Sequence, residues 1–88
     1  MRPSTMRVRM RLFGPLREIA GFPEQWIELF EGDSVGDLLQ AVRLMGVVPG
    51  KLLDASAVAV NQEYAKPANV LHDGDEVAIL PPVSGGRR

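Results

Sequence analysis

Few residues of this chain have side chains suited to chemistry. None of its 88 residues is cysteine, so it offers no thiolate nucleophile, no persulfide and no disulfide. The single histidine, His72, stands in the polar stretch His72-Asp73-Gly74-Asp75. A general base or metal ligand needs convergent partners, and His72 has none nearby in sequence, so it reads as an exposed turn residue. Asp73 and Asp75 suggest a hard cation, but the loop is too short and too poor in further oxygens, and turn chemistry is the better reading. What remains is the run Val77-Ala78-Ile79-Leu80-Pro81-Pro82-Val83-Ser84-Gly85-Gly86-Arg87-Arg88. Proline has no N–H for a ladder and biases its predecessor toward extended geometry, so Leu80 to Val83 should leave the domain as a stiff spoke. Gly85 and Gly86 then free the backbone. The six residues from Pro81 to Gly86 reach about 20 Å at roughly 3.3–3.6 Å each, enough to enter a buried site on another protein. A glycine tail fits a channel too narrow for side chains and presents main chain and, where it ends there, a carboxylate.

Composition bounds the rest. A chain of 88 residues makes one small domain that buries about 60–65% of its unfolded surface. A hydrophobic content of 45%, a charged content of 24% and a net charge of −1 lack the basic excess of a nucleic-acid binder. No apolar run approaches membrane-spanning length, and Met1-Arg2-Pro3-Ser4-Thr5 leads into alternating arginines rather than a signal-peptide core. The expectation is a cytoplasmic protein with no nucleic-acid or membrane partner. There is no internal repeat, no phosphate loop, and no Ser/His/Asp or Cys/His set.

The elements that would carry the tail can be taken in order. Met6 to Phe13 alternates, with Met6, Val8, Met10 and Leu12 on one face and Arg7, Arg9 and Arg11 on the other, which is a half-buried strand. The arginine row reads as a solvated sheet face rather than a docking stripe. Pro15 to Ala20 is a short helical turn with proline near its first position, expected to pack Leu16 and Ile19 inward. Gln25 to Phe30 alternates again and forms a hairpin with the first strand, with Ile27 and Leu29 inward and Trp26 outward as a partly buried sheet-edge aromatic. The clearest helix has Asp33 or Ser34 as N-cap, Asp37 as capping-box acid, Val35, Leu38, Leu39, Val42 and Met45 at helical spacing, and Gly46 as its stop. A small helical piece is expected around Lys51-Leu52-Leu53, inside an irregular connection. Ala57 to Val60 is a buried strand, Asn61 suits a left-handed turn, and a short return follows at Tyr64-Ala65. Lys66 to Leu71 crosses as a loop, and Glu76 to Leu80 is the final strand. The order β-β-α-β-(β)-β forms a β-grasp when the first and last strands lie parallel in the middle of the sheet and the helix covers one face.

Asp73-Gly74-Asp75-Glu76-Val77, followed by Pro81-Pro82-Val83-Ser84-Gly85-Gly86, resembles the end of the small, sulfur-carrying subunit of molybdopterin synthase. Phe13, Arg17 and Glu18 fit the Phe-x-x-x-Arg-Glu pattern of the same family. The resemblance implies an α+β, ubiquitin-like β-grasp: a mixed sheet with one main helix on one face, a domain over residues 6–82, and a flexible Gly-Gly tail over 83–88. It implies a sulfur carrier whose Gly86 carboxylate is adenylated by an E1-like partner using ATP and converted to a thiocarboxylate with sulfur from a donor protein. Sulfur then passes to a cyclic pyranopterin on the large subunit, within a heterotetramer. Such a chain binds no cofactor itself, and with no cysteine it must hold the sulfur at its C-terminus. Gly85 and Gly86 are the reacting end, and Val83 and Ser84 belong to the arm that the large subunit grips. Thiamine or cysteine sulfur carriers and ubiquitin-like protein modifiers are the alternatives.

Two expectations are specific to these residues. Leu80 is opposite in phase to Val77 and Ile79, Phe13 is opposite to Leu12, and Tyr64 sits on the return strand. These three, with Pro81 and Pro82, should form an apolar patch around the root of the arm, suited to a stable interface. Arg87 and Arg88 extend past the point where the family pattern ends and would displace the carboxylate by about 7 Å of extended chain. The expectation is a precursor trimmed to Gly86.

Overall fold

The alternation at the start of the chain settles the sheet. In the computed structural model, which describes residues 4–82, β1 spans Thr5–Leu12 and buries Met6, Val8, Met10 and Leu12, while Arg7, Arg9 and Arg11 take the other face. Gly14–Ala20 forms α1, with proline at its first turn. Glu24–Phe30 forms β2, antiparallel to β1 with Val8 opposite Ile27 and Met6 opposite Leu29. Ile27 and Leu29 are buried and Trp26 stands outside, as the period of two requires.

The Asp33 carboxylate accepts from Phe30 N–H at 3.0 Å and closes the turn after β2. Ser34 then starts α2, Val35–Met45, through a complete capping box: Asp37 N–H donates to Ser34 Oγ at 3.3 Å and Ser34 N–H donates to Asp37 Oδ2 at 2.8 Å. Val35, Leu38 and Val42 are fully buried in one cluster with the strand residues, and Gly46 closes the helix in left-handed geometry. Burying each of these aliphatic side chains stabilises the fold by about 1.5–3 kcal/mol before entropy is counted. A short helix, α3 (Gly50–Ala55), adds Leu53 to the core.

The chain returns as β3 (Ala57–Val60) and β4 (Glu63–Ala65), joined by left-handed Asn61 and Gln62, and ends the domain as β5 (Glu76–Leu80). The sheet order is β2-β1-β5-β3-β4, with β1 and β5 parallel in the centre and the other pairs antiparallel. This is the ubiquitin-like β-grasp, a mixed five-stranded sheet with its main helix on one face. Gly74, at φ +86°, makes the turn into β5 and donates its N–H to Arg7 O at 2.7 Å, hooking the last strand onto the first.

Two expectations need correction, and two core residues lie where no periodicity marks them. Ile19 is 51% exposed: the inward line of α1 runs from Leu16 to Ala20, four residues apart, and leaves Ile19 to one side. Met45 is also on the surface, because it lies in the last turn of α2, beyond the buried positions Val35, Leu38 and Val42. Leu71 and Val48, in stretches without periodicity, are in fact core residues. Leu71 is pinned there by its N–H bond to Asp33 O at 2.9 Å.

Candidate functional site

Because β1 and β5 run parallel with Leu12 opposite Ile79, their C-terminal ends emerge side by side. Phe13 and Leu80 follow on the face that α2 leaves uncovered. Ala78 lies opposite Ala59 and Ala59 opposite Tyr64, so small side chains separate the aromatic edge from the central strands. The result is a depression of about 330 Å³ whose lining includes Phe13, Tyr64, Ala78 and Leu80, with Arg11 and Glu76 at its polar end. Tyr64 is 81% exposed, and Phe13 and Leu80 are half-buried. The structure thus brings Phe13, Tyr64 and Leu80 together. Pro81, half-buried, turns toward Gly14, and Pro82 is exposed. Val83, Ser84, Gly85 and Gly86, with Arg87 and Arg88, lie outside the described residues.

The polar end is ordered by one carboxylate. Arg9 Nη2 donates to Glu76 Oε1 at 2.7 Å and Arg11 Nη1 donates to Glu76 Oε2 at 3.1 Å. Glu24 Oε1 lies 3.8 Å from Arg11 Nε and 4.0 Å from Arg9 Nε. The hydrogen bond from Arg9, backed by that from Arg11, holds the Glu76 carboxyl below the usual glutamate range, and the same bond raises the Arg9 guanidinium above its ordinary value. Arg11 also lies over the Phe13 ring at 5.2 Å, and Arg7 over Trp26 at 5.0 Å. The arginine row is therefore a compensated, laterally bonded face. It fixes the side chains bordering the depression before any partner arrives.

Glu76 and Ala78 carry much of this arrangement. The signal that would have found them is the period of two in β5, where Glu76, Ala78 and Leu80 must face away from Val77 and Ile79. Among the described residues no polar or charged side chain is buried, and no three His, Asp or Glu side chains converge to hold a metal ion. No helix among them is long and apolar enough to cross a membrane. The geometry of the depression suits binding, and the one carboxylate among its lining residues, Glu76, is held by Arg9 and Arg11.

Residues 10–86 match the family model described as the ThiS family, a match whose last residue is Gly86. The chain belongs to the ThiS family. This ThiS-family chain is 40% identical over 83 residues to the molybdopterin synthase sulfur carrier subunit of Chlamydomonas reinhardtii, covering 92% of this chain and 100% of the relative. The crystal structure of SAMP1 from Haloferax volcanii superposes with a TM-score of 0.76 at 32% identity, over 91% of this chain and 99% of that one. A protein-protein complex of subunits 1 and 2 of molybdopterin-converting factor from Helicobacter pylori contains a chain of TM-score 0.68 and 28% identity, over 92% of this chain and 100% of that one.

Proposed function

We propose that this ThiS-family chain is the sulfur-carrying small subunit of a molybdopterin synthase. The observation that carries the reading is the full-length likeness to a relative named for that role, at 40% identity. Two features support it. The described chain ends on Pro81-Pro82 beside an apolar depression at the parallel ends of β1 and β5, so an arm leaving here starts next to a surface suited to a large subunit. The Helicobacter pylori likeness, a subunit within a two-subunit complex, points the same way.

The chemistry follows from what the chain lacks. With no cysteine, sulfur must be held by the main-chain terminus. A carboxylate is a poor electrophile. In the proposed cycle an E1-like enzyme joins the Gly86 carboxylate to the α-phosphoryl of ATP, releasing pyrophosphate, and hydrosulfide delivered by a donor protein then displaces AMP, losing its proton, to leave a thiocarboxylate. Inside the large subunit the thiocarboxylate sulfur attacks a carbon of the cyclic pyranopterin and displaces an oxygen substituent from it, and water then hydrolyses the resulting thioester, leaving the thiol sulfur on the pterin and a carboxylate on Gly86. Catalytic side chains belong to the partners, ATP is used by the activating one, and this chain supplies the domain-mounted arm. The cycle needs a free carboxylate on Gly86, so a chain carrying Arg87 and Arg88 must first lose them.

The test compares full-length protein with a version ending at Gly86, each incubated with activating enzyme, ATP and sulfur donor. Mass spectrometry is expected to find one terminal oxygen exchanged for sulfur in the Gly86-ended form alone, and that form should convert cyclic pyranopterin with the large subunit. A ladder of lysine conjugates without pterin conversion would replace this reading with that of a protein modifier.

A further inference from the structure

A second surface lies at the other end of β1. Arg9 N–H donates to Asp75 O and Leu12 N–H donates to Pro23 O, both at 2.8 Å, so the odd-numbered residues of β1 bond toward β5 and the even-numbered ones toward β2. Val8 is opposite Ile27, which turns the main chain of Ile27 inward and that of Trp26 and Glu28 to the outer edge of β2. Among the described residues no strand covers that edge. Its far end is closed by Asp33, which takes the Phe30 N–H and gives its own N–H to Phe30 O at 3.0 Å.

Beside this edge, between β2 and α2, runs a groove of about 350 Å³. Its apolar lining includes Phe30, Ala41 and Leu44, of which Phe30 is 53% and Leu44 78% exposed. Glu28, Asp33 and Asp37 also line it, and among the described residues no lysine or arginine does. An outward main-chain ladder next to an apolar groove is the combination that accepts an added strand: the backbone supplies hydrogen bonds and the groove takes alternate side chains. The acidic lining selects for positive charge.

We propose that this edge and groove form a docking site for an extended, basic-flanked apolar segment of another protein, which adds to the sheet as a strand antiparallel or parallel to β2. The segment bonds to the main chain of Trp26 and Glu28 and sets its apolar side chains against Phe30, Ala41 and Leu44. Thr5, at the groove, lies about 23 Å along β1 from Leu12 at roughly 3.3 Å per residue, and Trp26, the bonding residue nearest the arm root, sits one strand further out beside Arg9, about 10 Å along β1 from Leu12. The site therefore stays open while the arm is engaged, and a partner can hold the carrier by one end as it presents the other.

The probe is a fluorescent peptide of alternating valine and isoleucine flanked by arginines, titrated into the full chain by anisotropy and by amide-resolved NMR. Binding should shift the amides of Trp26 and Glu28 and the methyls of Leu44, leaving Phe13 and Leu80 unmoved. A glutamate-flanked peptide should bind about tenfold more weakly. Leu44→Ser, a change at an exposed position that spares the fold, should weaken binding about fivefold or more. Methylating alternate backbone nitrogens of the peptide should abolish binding. Equal affinity for both flanks, indifference to N-methylation, shifts centred on Leu80, or an edge occupied by a second copy of this chain in sedimentation would each overturn the proposal.

Discussion

A β-carbon on Gly14 would stand 3.4 Å from Cγ of Pro81, so the first residue of α1 rests against the first residue after β5. That distance is ordinary van der Waals contact. The restriction at Gly14 lies in its backbone, at φ +54°, where a residue with a side chain is strained. Gly14→Ala is expected to lower stability by about 1–2 kcal/mol in urea titration, and Gly14→Asn, which tolerates the left-handed region better, to lose less. An asparagine variant weaker than the alanine one would show that crowding against Pro81 governs the position.

Leu80 and Leu38 are both leucines and should behave in opposite ways. Leu38 is fully buried beneath the sheet, and Leu38→Ala should cost about 2–5 kcal/mol. Leu80 faces the depression and is half-buried, so Leu80→Glu should change stability by about 1 kcal/mol or less while weakening association with a large subunit more than tenfold. Thermal melts and a binding titration read the two effects separately, and collapse of the Leu80 variant would place that side chain in the core.

The clamp on Glu76 has a pH signature. Its folded pKa lies below the ordinary value of 4.5, so its contribution is present above that pH and is lost as pH falls through the lower, folded value. Wild type should therefore exceed Glu76→Gln in stability at neutral pH, and the gap should close on acidification below about 4.5. High salt should narrow it as well, since the carboxylate and both guanidinium groups reach solvent. A gap that stays constant from neutral to strongly acid pH would assign the difference to packing.

The proposed cycle makes Gly86 the adenylated residue, so Gly86→Val should abolish ATP–pyrophosphate exchange with the activating enzyme without changing the melting temperature, because a β-branched side chain would not fit a channel that admits only bare backbone. Ordinary exchange by that variant would remove the threading argument.

Periodicity in the sequence predicted most of these elements. The strict alternation of Met6 to Leu12 and the Ser34–Asp37 capping box each specify an element through its own local chemistry. Local chemistry is silent on Val48 and on Leu71, the latter buried by a loop tied to the start of α2 through bonds such as Val35 N–H to Asn69 O at 2.8 Å. Ile19 misled for a related reason: on a helix of only 7 residues, i+3 and i+4 both qualify as inward until the sheet chooses one. At the candidate site the apolar residues were legible by phase. The Glu76 clamp was not, because it joins residues 67 and 65 positions apart, a separation at which sequence pattern carries no pairing rule.

That separation also governs when the molecule becomes competent. The strand that completes the sheet is the last in sequence among the described residues, and it must insert between β1 and β3 before either central pairing exists. Closing a loop of that length is an entropic barrier, and mixed α/β topologies of this kind fold between the fast helical bundles and the slow all-β domains. Until β5 docks, the inner edges of β1 and β3 are unpaired and open to other chains. Since β5 is also the strand that leads into Pro81, the proposed arm has no fixed starting point until folding is finished, and quality control and the proposed substrate presentation would share one checkpoint.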